Sequence, residues 1–149
     1  MSTVNVEKSK VFDVTPAKAW ALIEDWNWSK WLIPGPPPEG NSPAEVKDCE
    51  YPARTISMLD GSGSWTEKCT ILDKDAMRCE YIVTSPLPPP FDAIKIETFK
   101  CYLSVEAADG GAKITVGADY EDAEGIPPFF TQGLMYEAWI ESIGAAAAK

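Results

Sequence analysis

Histidine is absent from this 149-residue sequence. Its absence excludes Ser-His-Asp and Cys-His nucleophilic machinery and most zinc and haem sites. Basic residues are scarce, with 13 Lys and Arg against 23 Asp and Glu, a formal net charge of −10. A nucleic-acid surface needs a basic stripe to displace counterions from phosphates, and an anionic membrane attracts the same feature. No such stripe exists here, so neither partner is expected. No apolar run approaches the roughly 18 residues of a membrane-spanning helix, so membrane insertion is not expected either. The cysteines, Cys49, Cys69, Cys79 and Cys101, form no CxxC pair, and the opening MSTVNVEKSK has no apolar core of a signal peptide. The expectation is a cytoplasmic protein with reduced thiols, without cofactor or metal. Its acidic surface would keep it soluble as a monomer or weak dimer.

What is present is ordinary in bulk, 45% hydrophobic and 24% charged, but rich in Trp (6) and Pro (13). The length suits one domain over residues 1–149, with a core that needs no disulfide. Residues 4–14 alternate toward Val11-Phe12-Asp13-Val14 and read as a first strand. Thr15-Pro16 supplies an N-cap and a first-turn proline for a short helix carrying Trp20 and Ile23. Asp25 can cap a second short helical piece with Trp26, Trp28 and Trp31, and Pro34-Gly35-Pro36-Pro37-Pro38 ends it in a stiff loop. Strand signals resume at Ala44. Arg54, Ile56 and Met58 share one face, and Leu59-Asp60-Gly61 turns the chain. Trp65, Glu67, Cys69 and Ile71 share a face of the next strand. Asp73-Lys74-Asp75-Ala76 turns into residues 77–84, where Tyr81 and Val83 align. After the proline loop at 86–90, residues 93–107 read as the longest strand. Asp109-Gly110-Gly111 then leads to residues 112–120, with Ile114, Val116, Ala118 and Tyr120 on one face. Apolar residues at Ile126, Phe129/Phe130, Gly133/Leu134, Ala138, Ile140 and Ile143 predict a closing amphipathic helix over 126–143, with residues 144–149 frayed. A sheet wrapped around a terminal helix tends to enclose a cavity for a small apolar molecule.

These elements carry a family resemblance. The motifs are Thr15-Pro16-Ala17-Lys18-Ala19-Trp20-Ala21-Leu22-Ile23-Glu24-Asp25 with Trp31, Arg54-Thr55-Ile56 before Asp60-Gly61, Thr66-Glu67-Lys68 with Leu72-Asp73, and Tyr81-Ile82-Val83 before Pro86-Leu87-Pro88. In order and spacing the chain resembles the START-like helix-grip (SRPBCC) superfamily, in particular its polyketide cyclase/dehydrase and lipid-transport branch. The resemblance implies an α+β fold: a bent seven-stranded antiparallel sheet around a long C-terminal helix, with two short helices after the first strand. It also implies an apolar cavity between sheet and helix. Members bind lipids, hormones or pigments, catalyse cyclisation or dehydration, or adapt other proteins, so fold alone does not choose a function. In the abscisic-acid receptors, loops at comparable positions close over the ligand, but the loop at 85–90 lacks their glycine-rich character.

Glu67 stands out among the site candidates. It shares a face with Trp65, Cys69 and Ile71 that should point inward, where a desolvated carboxylate could serve as a general acid or anchor a ligand. Arg54 lies on the inward face of the neighbouring strand. The pair either contacts a ligand or forms an ion pair that orders the interior. The expected ligand-binding residues are Arg54, Ile56, Trp65, Glu67, Cys69, Tyr81, Phe99, Tyr120, Phe130 and Leu134, around a small hydrophobic or aromatic molecule. If the protein is an enzyme, Glu67 would be its acid/base and Tyr81 an oxyanion donor in a cyclase or dehydratase, with Tyr120 and Tyr136 as further phenols. Asp119, Glu121, Asp122 and Glu124 read as a solvated acidic loop, without the spacing of a calcium loop. Trp20, Trp26, Trp28 and Trp31 are crowded enough that some could stay exposed, which leaves a partner-binding adaptor as a third reading.

Overall fold

The computed structural model describes residues 2–28, 30–32, 44–59, 61 and 63–149. The strand β1 (Thr3–Phe12) is followed by α1 (Pro16–Glu24), whose N-cap is Thr15. The Thr15 hydroxyl accepts the Lys18 N–H at 3.3 Å, and Pro16 occupies the first turn where no N–H is needed. The helix buries Ala19, Trp20 and Ile23. In place of the second short helical piece expected from Asp25, the described residues form turns. Asp25 Oδ1 accepts the Asn27 N–H at 3.3 Å, and Trp28 adopts φ +53°, which no α-helix can continue through. The proline loop at 34–38 and Asp60 of the expected turn lie outside the described residues.

The remaining strands are β2 (Ala44–Glu50), β3 (Ala53–Met58), β4 (Ser64–Asp73), β5 (Arg78–Val83), β6 (Lys100–Ala108) and β7 (Gly111–Glu121). They form a seven-stranded sheet in the order β1-β7-β6-β5-β4-β3-β2, antiparallel throughout. Consecutive strands from β2 to β7 are neighbours, and β1 closes on β7 from Thr3↔Glu121 to Phe12↔Ala112. Ile114, Val116, Ala118 and Tyr120 are all buried on β7, as their alternation predicts.

The strand pattern misleads at two places. In β4 the register against β5 shifts between Cys69 and Ile71, so Ile71 leaves the face it nominally shares with Trp65, Glu67 and Cys69 and is 43% exposed. A bulge inserts one residue and reverses the inside-outside parity beyond it. The expected long strand from residue 93 starts only at Lys100; residues 96–98 form a 3-10 turn in which Thr98 Oγ1 donates to the Lys95 carbonyl at 2.8 Å.

The closing helix is also two pieces. The short α2 (Pro128–Thr131) ends at Gln132, Gly133 sits at φ +81°, and α3 (Leu134–Ala147) follows. A side chain at Gly133 would collide with Lys8, and the left-handed φ itself disfavours any other residue. The break resets the helical phase: Leu134 is only half-buried, while Met135, Tyr136, Trp139, Ile140 and Ile143 face inward. Residues 144–147, expected to fray, continue α3, and Ala147 is buried. The helix packs on β1, β7 and α1 and leaves a gap toward β4 and β5. Among the described residues, no helix is long and apolar enough to cross a membrane.

Candidate functional site

Arg54 and Glu67 face each other directly across the β3–β4 ladder, 1% and 3% exposed. Arg54 donates to Glu67 Oε1 from Nε at 2.9 Å and from Nη2 at 2.5 Å, and from Nη1 to the Trp26 carbonyl at 2.7 Å. The Trp65 indole N–H donates to Glu67 Oε2 at 2.8 Å. The guanidinium carbon lies 3.6 Å and 3.4 Å from the Trp26 and Trp28 ring centres, so the cation is held between two π faces. Each carboxylate oxygen is therefore occupied, and Arg54 does not reach the cavity described below. Of the two roles open for this pair, the geometry is that of the ordering ion pair.

The tryptophan-rich segment has a structural task as well. Trp31 Nε1 donates to the Leu22 carbonyl at 3.1 Å and Trp28 Nε1 to the Ile23 carbonyl at 3.0 Å. The last carbonyls of a helix lack intrahelical donors, and here two indoles supply them. Trp20, Trp26, Trp28 and Trp31 are all buried. The exposed indole that an adaptor surface would need is absent among these four.

Between β4, β5 and α3 lies an apolar cavity of about 40 Å³, room for about three water molecules. The sheet contributes Trp65, Glu67, Tyr81 and Val83. The segment after β5 covers it with Leu87, Phe91, Ile94 and Phe99, and the helices supply Phe130, Met135, Tyr136 and Trp139. Phe130 makes edge-on contacts with Phe91, Phe99, Tyr120 and Tyr136, at ring separations of 5.2–6.2 Å.

Of the residues expected at the site, Trp65, Glu67, Tyr81, Phe99 and Phe130 line this cavity. Arg54 and Ile56 are buried on β3 and are not part of its lining, although Arg54 bonds the lining residue Glu67. The free Cys69 thiol donates to the Ile71 carbonyl at 3.3 Å, and a hydrogen bond from the neighbouring Cys79 thiol lowers it from its ordinary range. Tyr120 packs against Phe130, and Leu134 is turned aside by the phase reset at Gly133. Missed from sequence were Val83, Leu87, Phe91, Ile94, Met135 and Trp139. The i, i+3 spacing of Tyr136 and Trp139 marks one helix face, and with Met135 it could have been found had the helix been started after Gly133.

Polar atoms in the wall are few. The Tyr136 hydroxyl and the Trp139 indole Nε1 are buried without a hydrogen-bond partner. The Cys101 thiol lies beside the Tyr81 and Tyr136 phenols, but a thiol is a weak partner and its placement leaves Tyr136 Oη without a well-formed bond. Burial pushes both phenols well above the usual 10.0, with Cys101 adding to the shift. The Cys101 thiol is itself driven up by burial. The acidic residues at 119–124 are not one solvated loop and are not gathered around this space: Asp119 and Glu121 belong to β7, and Glu121 is buried. Asp119 accepts from Asn5 at 2.9 Å and Glu121 from Lys95 at 2.8 Å. Among the described residues, no three His, Cys, Asp or Glu side chains are placed to hold a metal together.

A seven-stranded antiparallel sheet, a helix after its first strand and a long C-terminal helix over a lined cavity define a helix-grip fold. Solved structures share it. They include the protein XoxI from Bacillus cereus (15% identity, TM-score 0.68, covering 100% of this chain and 97% of that one). Ara h 8.0201 matches at 17% identity and a TM-score of 0.66, over 99% of both chains. The ZhuI aromatase/cyclase from a Streptomyces species matches at 11% identity and 0.63, over 99% and 94%. At these identities the likeness is one of fold. Neither the protein-family models nor the curated sequences give a match.

Proposed function

We propose that this protein binds a small apolar or aromatic molecule in the cavity between β4, β5 and α3, acting as one domain and without catalysing a reaction. The observation that carries this reading is the cavity wall itself: aromatic and aliphatic side chains from sheet, helices and covering loop converge on one space. Burying a ligand there would yield about 25 cal/mol per Å² before ordering costs. A ligand larger than a few atoms needs more than the present volume, since sites for drug-sized molecules span roughly 300–1,000 Å³. The segment over residues 86–92 supports such an opening. Its backbone is held at Phe91 N to the Pro88 carbonyl (3.0 Å), and it belongs to no sheet ladder. Leu87 and Phe91, both half-buried, are the side chains that would swing out. Its prolines narrow the conformations to be ordered on closure.

A cyclase or dehydratase reading would need Glu67 free to exchange a proton. Both its oxygens are already engaged, by Arg54 and Trp65, so the geometry favours binding over catalysis.

The test is native mass spectrometry of the freshly purified protein, with its organic extract analysed alongside, followed by titration with the neutral dye N-phenyl-1-naphthylamine. A stoichiometric mass lost on denaturation, or saturable 1:1 dye binding, is expected. Val83→Phe, which fills the cavity, should weaken dye binding at least tenfold while the protein stays folded. No saturable binding, or binding unchanged by Val83→Phe, overturns the proposal.

A further inference from the structure

We infer that the occupant of this cavity is a neutral molecule carrying a carbonyl oxygen, a ketone or aldehyde on an apolar frame, held jointly by Tyr136 Oη and Trp139 Nε1. The inference rests on the cavity-binding reading above and adds the chemistry of the ligand.

Tyr136 and Trp139 lie one helical turn apart on α3, with ring centres 5.2 Å apart, and both line the cavity. They are 1% and 4% exposed, and neither polar atom makes a well-formed hydrogen bond within the protein. A buried donor left unmade is expensive, and native structures rarely tolerate two on one wall without something to meet them. Glu67 is engaged by Arg54 and Trp65, and the Cys101 thiol, a weak partner, lies beside the Tyr81 and Tyr136 phenols alike. What remains is an indole N–H, which only donates, and a phenol, which can donate. Both ask for an acceptor. One carbonyl oxygen has two lone pairs and can serve both donors at once.

The sign of the ligand follows from the same wall. No lysine or arginine lines the cavity, and the one carboxylate there, Glu67, already neutralises Arg54. A carboxylate ligand would enter a dry space without a counter-charge, at heavy desolvation cost. A ligand carbonyl would supply the acceptor that neither donor finds in a well-formed bond within the protein.

The matched set acetophenone, ethylbenzene and benzoate isolates the carbonyl, since the first two share a frame and the third adds charge. Binding is followed by ¹⁵N–¹H correlation spectra of the six indole N–H groups, with Trp139 assigned by its loss in Trp139→Phe. Acetophenone is expected to bind at least tenfold more tightly than ethylbenzene and to move the Trp139 indole proton downfield. Tyr136→Phe and Trp139→Phe should each remove most of that preference, read as the ratio of acetophenone to ethylbenzene affinity within the same variant. If a variant fails to fold, the indole shift in the unaltered protein still decides. Equal binding of acetophenone and ethylbenzene, with an unmoved indole, overturns the carbonyl inference and leaves cavity binding standing. Benzoate binding tightest overturns the neutral class. Binding of none of the three, together with no dye binding, removes the cavity-binding reading itself.

Discussion

Arg54 meets a carboxylate, a carbonyl and two indole faces at once, and each contact constrains the others. Deleting the cation strands Glu67 in a dry interior. Arg54→Met should therefore cost about 3–5 kcal/mol in urea unfolding, the usual consequence of breaking a buried pair from one side. The double change Arg54→Met with Glu67→Leu should recover at least half of that loss, because no charge is then left unmatched; a double variant no better than the single would show the pair to be more than mutual compensation. The pairing was legible in the sequence, because both residues have inward parity on strands joined by one turn. Its saturation was not, since Trp26 and Trp28 arrive from a distant turn, Trp26 lying 28 residues from Arg54. The thiols give a second residue-scale expectation. Cys49 is exposed, whereas Cys69, Cys79 and Cys101 are buried. A thiol reagent should titrate one group rapidly in the native protein and the other three only in denaturant; two fast groups in native conditions would contradict this burial.

Elements were legible where pattern and turn chemistry agreed: the Thr15-Pro16 start of α1, the alternation of β7, the turn at Gly110. They were hidden where the backbone changed register without a mark in the side chains. Trp65, Glu67, Cys69 and Ile71 alternate without a flaw, so nothing in the residues announces the bulge that expels Ile71. The closing helix failed for a related reason, because Gly133 and Leu134 fit a continuous apolar stripe and concealed the left-handed break between α2 and α3. A second glycine tests how tightly α3 is seated. Gly144 is buried on α3, and an added Cβ would overlap the Phe12 ring of β1. In an exposed helix, Gly to Ala stabilises by about 1 kcal/mol. Here Gly144→Ala should instead destabilise by about 1–3 kcal/mol, the cost of overpacking. Thermal unfolding gives the sign directly, and a raised Tm would mean that helix and strand are looser than described.

At the scale of the whole molecule, burial of ionisable groups sets a ceiling on alkaline stability. Tyr81 and Tyr136 have phenols raised by burial well above 10.0, and burial likewise raises the Cys101 thiol above 9.0. In the unfolded chain these groups lose their protons near the ordinary values while the folded protein retains them. The unfolded state then binds fewer protons, so stability is full below about pH 9 and falls as pH rises toward the folded values, by about 1.4 kcal/mol per pH unit for each group engaged. Urea midpoints at pH 8, 9, 10 and 11 should decline with increasing steepness; a flat profile would place these groups in contact with solvent. The tryptophans have a collective property of another kind. Trp26, Trp28, Trp31 and Trp139 form a connected cluster with ring centres 4.8–6.1 Å apart. Indoles at such separations exchange excitation before they emit, so light absorbed anywhere in the cluster can leave from its lowest-energy member. Because Trp139 borders the cavity, a molecule that quenches it would dim the emission of neighbours it never touches, which makes the cluster an optical antenna for whatever enters.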